Sequence, residues 1–143
     1  MIRRTLLGVI AALVVVIGIA YFALVHKSAL EPAPEGQTFD TALVAHGAEM
    51  VAFGDCASCH TAPGGEPFAG GLAVPTPFGT IYSTNITPDK DHGIGTWSEA
   101  AFIRAMREGV DDKGNFLYPA FPYDHFTHVT DEDNKAITES LQQ

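Results

Sequence analysis

From Thr5 to Val25 the chain is apolar without a break, and TLLGVIAALVVVIGIAYFALV carries no charge over 21 residues. A helix of that length reaches about 30 Å, the hydrocarbon depth of a bilayer, so the pattern predicts a transmembrane anchor over residues 1–27. The competing reading is a cleaved signal sequence. Its apolar core would be shorter, about 7–15 residues, and Tyr21 spoils the small-x-small pattern that a cleavage site needs before Ala23. Arg3 and Arg4 precede the span while only Lys27 follows closely. By the positive-inside rule the N-terminus stays in the cytoplasm and the remainder lies beyond the membrane, in the periplasm.

Polarity then changes abruptly. Residues 28–40, opening SALEPAPEGQTF, are polar and proline-rich and read as a stiff linker. From Thr41 to Gly54, the positions Leu43, Met50 and Val51, with Gly47 between them, follow helical spacing. Residues 61–95 contain the run PGGEPFAGGLAVPTPFGT and read as one extended loop. Ser98 is placed to cap a helix through Glu108, with Phe102 and Met106 on one face and Gly109 as its stop. Thr130-Asp131-Glu132-Asp133 resembles a capping box opening a last helix to about Leu141. The expected fold is an all-α domain over residues 41–143 with long loops and little strand, a size suited to one core.

The formal net charge is −9, and all 17 acidic residues follow the apolar span. Nucleic-acid binding needs basic patches and is excluded by this balance. An acidic surface can steer encounter with a basic protein partner, or simply keep the domain soluble.

The only two cysteines stand in one run, Cys56-Ala57-Ser58-Cys59-His60. This is the attachment pattern of a c-type haem. Two thiolates add to the porphyrin vinyl groups, the two-residue gap matches the span between those groups, and His60 falls beneath the iron as axial ligand. A disulfide, a thioredoxin-like pair and half of a zinc site are the alternatives. Zinc takes about four ligands and no second cysteine pair follows. A thioredoxin-like pair belongs near a βαβ pattern, which this Gly/Pro-rich chain does not offer. One covalent haem c is therefore expected, on an oxidising side of the membrane.

Around this run the stretches Gly54-Asp55, CASCHTAPGG, FAGG, TPFGTIYSTNITPD, GIGTWSEAAF and AMREGVDDKGNFLYPAFPY follow one another. In order and spacing, over roughly residues 41–135, they resemble the membrane-anchored c-type cytochrome subunits of bacterial periplasmic dehydrogenases (alcohol, aldehyde, gluconate and molybdenum-dependent). The resemblance implies a class I-like cytochrome c domain with long haem-wrapping loops. It also implies a single-pass inner-membrane protein that does no substrate chemistry and takes electrons from a dehydrogenase subunit towards quinone, a terminal oxidase or another cytochrome. Such subunits carry three haem domains, of which this chain matches the first. It is expected to be a stand-alone single-haem protein or a truncated copy. Its last segment, ITESLQQ, lacks the aromatic that the family places near Ser140, so the terminal helix is expected to fray.

Related domains carry the distal methionine in a Tyr-Pro-Ala-Met-Pro-Tyr run, where this chain has Tyr118-Pro119-Ala120-Phe121-Pro122-Tyr123. Phenylalanine has no lone pair to donate. Met50 and Met106 read as core filler, His26 as a membrane-boundary residue, and His46 and His92 as surface residues. That leaves His125 as the expected sixth ligand, with His128 second; otherwise both are exposed and the iron is five-coordinate. Two imidazoles favour Fe(III) and lower the potential. Pro75, Pro77 and Pro63 are candidates to offer a carbonyl to His60 Nδ1, if they are not ordinary turn prolines. Tyr82, Ser83, Asn85 and Trp97 are donors for the haem propionates, Trp97 being equally a core aromatic. Two rival functions stand beside electron transfer: an open-iron haem protein (peroxidase-like or gas-binding), and a structural haem anchor for a dehydrogenase.

Overall fold

The computed structural model describes the backbone from Ile2 and the side chains from Thr5 to Gln143. The side chains of Arg3 and Arg4, on which the topology reading rests, lie outside the described residues. Helix α1, Ile2–Val25, contains the apolar stretch Thr5–Val25, long and apolar enough to cross a membrane, and no part of it is buried by protein. Its side chains from Leu6 to Leu24 stand open to the surroundings, as a span facing lipid requires.

The remaining elements fold around a crossing of two helices. Helix α2 (Thr41–Phe53) is capped by Asp40, whose carboxylate accepts from Ala42 N–H and Leu43 N–H at 2.9 and 3.0 Å. Helix α3 (Cys56–His60) follows after two residues. The loop beyond it contains an antiparallel hairpin, β1 (Ala73–Thr76) with β2 (Gly79–Tyr82), in the register Val74 opposite Ile81 and Pro75 opposite Thr80. Helix α4 (Glu99–Glu108) is capped by Ser98 and stopped by Gly109; a short α5 (Tyr123–Phe126) leads to α6 (Asp131–Leu141), capped by Thr130.

Helices α2 and α6 touch backbone to backbone. A Cβ added at Gly47 would run into the carbonyl of Ala136 and come within 2.8 Å of Ser140 Cβ. Only a residue without a side chain fits the crossing. Around it Val51, Ile137, Leu141, Phe102, Met106 and Ile94 form the core, with Met50 packed at its edge. Burial of such side chains contributes roughly 1.5–3 kcal/mol each. Both helical methionines therefore act as filler, as their positions on apolar faces implied.

Strand is limited, as expected: residues 61–95 carry the short hairpin, in which Val74, Thr76 and Ile81 alternate with exposed neighbours and can turn one face inward. Pro75, lacking an N–H, is tolerated in a two-stranded ribbon. The terminal helix does not fray: Leu141 is buried, and Gln142 Nε2 donates to the carbonyls of Ile94 and Trp97 at 2.7 and 2.8 Å. The Pro-rich segment after α1 is tied to the domain as well. Leu30 N–H donates to Asp112 O at 2.8 Å, and Ala33 N–H to Thr96 O at 2.9 Å, which lays the segment along the domain.

His46, expected to face solvent, instead places Nε2 2.8 Å from Asp133 Oδ1 across the crossing. Hydrogen bonds from the Thr130 hydroxyl, then from His46, hold the Asp133 carboxyl below the usual carboxylate range. A depressed value in the folded state contributes stability that is present above the ordinary value near about pH 4 and is lost as pH falls through the folded one. Asp133→Asn should therefore be less stable at neutral pH and lose less of its stability between about pH 4 and pH 2 than the parent, read by circular dichroism against pH. Gly47→Ala should cost about 3 kcal/mol, the upper end for overpacking, in denaturant titration of the full chain.

Candidate haem-attachment site

Helix α2 stops at Gly54, whose N–H donates to Met50 O at 2.8 Å. Asp55 then adopts a left-handed conformation, φ 53°, and turns the chain into α3. Asp55 O accepts from Ser58 N–H and Ser58 Oγ, which steadies the first turn. Cys56 and Cys59, three apart on a helix, share one face. Both are free thiols, Cys56 half-buried against the core and Cys59 exposed. Burial pushes the Cys56 thiol up, so at neutral pH it is protonated.

His60 closes α3, and its Nδ1 lies 2.7 Å from Thr84 O. A carbonyl oxygen can only accept, so Nδ1 carries the hydrogen and the Nε2 lone pair is free for a metal. The ring is thus fixed in tautomer and direction by one main-chain contact.

That carbonyl is held by the loop it belongs to. Gly71 N–H donates to Ser83 O at 2.9 Å, Ser83 N–H to Leu72 O at 3.0 Å, and Leu72 N–H to Ser83 Oγ at 3.0 Å. Gly70 sits between the two partners. Its N–H donates to His60 O at 2.7 Å, its φ is +73°, and a Cβ there would lie 2.5–2.6 Å from the Ser83 and Thr84 main chain. Only glycine meets both demands.

Two thiols one helical turn apart, beside an imidazole with its distal nitrogen free, fit a c-type haem: the thiols for attachment, Nε2 for the iron. No family model matches the chain. Sequence comparison with curated proteins does find relatives. The chain is 50% identical over 85% of its length to a nicotinate dehydrogenase subunit from Pseudomonas putida. It is 48% identical over 82% to the cytochrome c subunit of alcohol dehydrogenase (quinone) from Gluconacetobacter polyoxogenes. It is 55% identical over 67% to the cytochrome c subunit of gluconate 2-dehydrogenase from Pantoea cypripedii. The chain is homologous to cytochrome c subunits of dehydrogenases. It spans 25% and 22% of the length of the latter two relatives and 10% of the first.

Measured against that homology, the other expected site residues divide. Pro75 does not offer its carbonyl to His60: it is paired opposite Thr80 in the hairpin, and Thr84 takes the role. Pro77 lies in the hairpin turn and Pro63 is exposed. Tyr82 (67% exposed), Ser83 and Asn85 flank Thr84 along one stretch. Ser83 Oγ accepts from Leu72 N–H, and Asn85 Oδ1 accepts from Thr87 N–H and Oγ1 at 2.8 and 2.6 Å, so both also build the loop. Trp97 is partly buried against the core.

On the far loop, Phe121 and Phe126 stack with ring centroids 5.4 Å apart and 7° between planes. A Cβ on Gly54 would lie 3.6 Å from both Cys56 Sγ and Phe126 Cε1, which puts this aromatic pair beside the cysteine turn. The structure does not bring His125 into such a fixed position. Its ring is 78% exposed, with Nε2 3.7 Å from Asp124, and His128 is exposed too. Gly70 and Thr84 are the site residues that sequence reasoning missed; the Gly70-Gly71 pair was the one available signal.

Gly70→Ala should destabilise the protein by about 1–3 kcal/mol through overpacking. It should also raise the midpoint potential of the haem-loaded protein. Loosening the contact with Thr84 O makes the imidazole a poorer donor and disfavours Fe(III). Potentiometric titration of the variant checks the direction.

Proposed function

We propose that the chain is a membrane-anchored, periplasmic c-type cytochrome with one covalent haem, carrying electrons from a dehydrogenase subunit towards quinone or a terminal oxidase. The observation that carries the reading is the joint placement of Cys56, Cys59 and His60, with His60 Nδ1 locked to Thr84 O so that Nε2 is offered outward. The alcohol and gluconate relatives are cytochrome c subunits of their dehydrogenases. This chain takes the same office, electron transfer without substrate chemistry of its own.

When bound, haem c supplies one-electron exchange between Fe(II) and Fe(III). The protein does the rest. Cys56 and Cys59 would fix the group on the α3 face, and His60 would hold its iron. Tyr82, the Ser83 hydroxyl and the Asn85 amide form the polar edge for the propionates in a class I-like arrangement. His125, four residues past Phe121, is our candidate to complete the iron's ligands, with His128 second. The acidic surface, −9 overall, steers a partner carrying basic groups. Helix α1 keeps the domain at the inner membrane, near the quinone pool.

One observation favours a second reading. The Phe121–Phe126 pair stands beside Cys56 while His125 is loose, which is also how an open iron with an apolar distal side would be built. Carbon monoxide decides between them: a six-coordinate cytochrome binds it slowly and weakly when reduced, an open iron quickly and tightly.

Material matured in a periplasm should have the polypeptide mass plus one haem, and Cys56→Ala with Cys59→Ala should abolish the adduct. The bare polypeptide mass in the parent would end the proposal. His125→Ala should raise the midpoint potential and admit carbon monoxide to an iron that otherwise resists it; an unchanged spectrum would remove His125 as ligand.

A further inference from the structure

The chain leaving α1 is clamped to the domain. Lys27 Nζ pairs with Glu108 Oε2 at 2.9 Å, and Ser28 O accepts from Arg104 Nη1 at 2.7 Å. Arg104 also donates to Asp111 O, so one guanidinium ties the exit of the span to the turn that starts at Asp111. A Cβ added at Gly114, within that turn, would run into the Lys27 carbonyl, so the two main chains lie close together. The turn is rigid in itself. Asp111 Oδ1 accepts from Lys113 N–H and Asn115 N–H at 2.9 and 2.7 Å, Asp111 N–H donates to Asn115 O at 2.9 Å, and Val110 bridges Phe116.

The outer edge of this turn therefore has a fixed height relative to the apolar helix. Gly114, Asn115 and Phe116 line a cleft of about 290 Å³ together with Tyr21, Phe22, Val25 and His26. Tyr21, Phe22 and Val25 belong to the last turns of the apolar stretch. Whatever medium surrounds them also reaches Phe116, which leaves 60% of its surface uncovered. Aromatic rings favour the boundary between hydrocarbon and headgroups, and a lysine beside them meets lipid phosphate there. Lys113 belongs to the same turn and is exposed.

We propose that the Asp111–Phe116 turn is a second membrane contact: Phe116 enters the interfacial layer of the bilayer beside Tyr21 and Phe22, with Lys113 at the phosphates. The partner is the phospholipid surface. The haem domain then rests on the membrane at a fixed attitude instead of swinging on a tether. This rests on the reading of α1 as a membrane span.

The test uses the full haem-loaded chain in inner-membrane vesicles, with the photo-crosslinking residue p-benzoylphenylalanine in place of Phe116, of Val14 in mid-span, or of Phe78 at the hairpin tip. Adducts are identified by mass spectrometry after illumination. Phospholipid adducts at positions 14 and 116, several-fold above position 78, are expected. Adducts at 14 with position 116 no better than 78 overturn the second contact and leave the anchor standing, as do adducts at 116 confined to protein. Absence of lipid adducts at 14 overturns the span, and this inference with it.

Discussion

One hydrogen bond organises the site: His60 Nδ1–H to the carbonyl of Thr84, 24 residues along the chain. A metal-binding imidazole is useful only if its free nitrogen is held in one direction, and a main-chain acceptor does that without a side chain to move. The acceptor has to be delivered by a long segment returning on itself. The hairpin β1–β2 turns the chain back, and the exchange between Leu72 and Ser83 fixes its base. Gly70 then closes the gap, bonding to His60 O on one side and lying against the Thr84 peptide on the other. The Gly/Pro-rich composition of this region follows from that requirement, since a bulkier residue at 70 would push the acceptor off the ring.

The helix crossing supplies the frame in which this bond is made. Gly47 lets α2 and α6 approach to backbone contact, and Val51, one turn on, with Ile137, next to Ala136, seals the core beside it. The end of α2 then has a defined position, so Gly54 and the left-handed Asp55 deliver Cys56 onto the edge of the same core. Packing thus fixes one thiol, helical spacing fixes the other, and the Thr84 carbonyl fixes the imidazole.

How much of this is legible in the chain depends on whether a feature leaves a side-chain signature. The span, the caps at Ser98 and Thr130 and the Cys56–His60 run are written in residue type and spacing, and they can be read directly. The acceptor for His60 cannot, because every residue has a carbonyl, and composition alone points to the wrong residue type, proline. The hairpin is hidden by Pro75 and Pro77, which argue against strand in any central position but not in a two-stranded ribbon. The linker's polarity signals a spacer, whereas its ties to Asp112 and Thr96 are backbone bonds that no sequence pattern marks. The missing aromatic near Ser140 suggests weakness; Gln142, bonding to Ile94 O and Trp97 O, compensates from one residue outside the helix.

On the proposed reading, the loop after Phe121 separates two jobs that a methionine at position 121 would combine. Phe121 and Phe126 stack parallel and offset, an arrangement worth about 0.5–1.5 kcal/mol beyond the area it buries. The rings therefore hold the backbone of residues 121–126 against the cysteine turn without any bond to a metal. His125 sits between them in sequence, on the exposed side, with only a loose contact to Asp124. A side chain in that position can turn towards an iron or away from it at little cost to the fold, because the packing is carried by its neighbours. If His125 ligates as proposed, ligation and loop stability are independent in this chain, whereas loss of a packed methionine ligand would disturb both together.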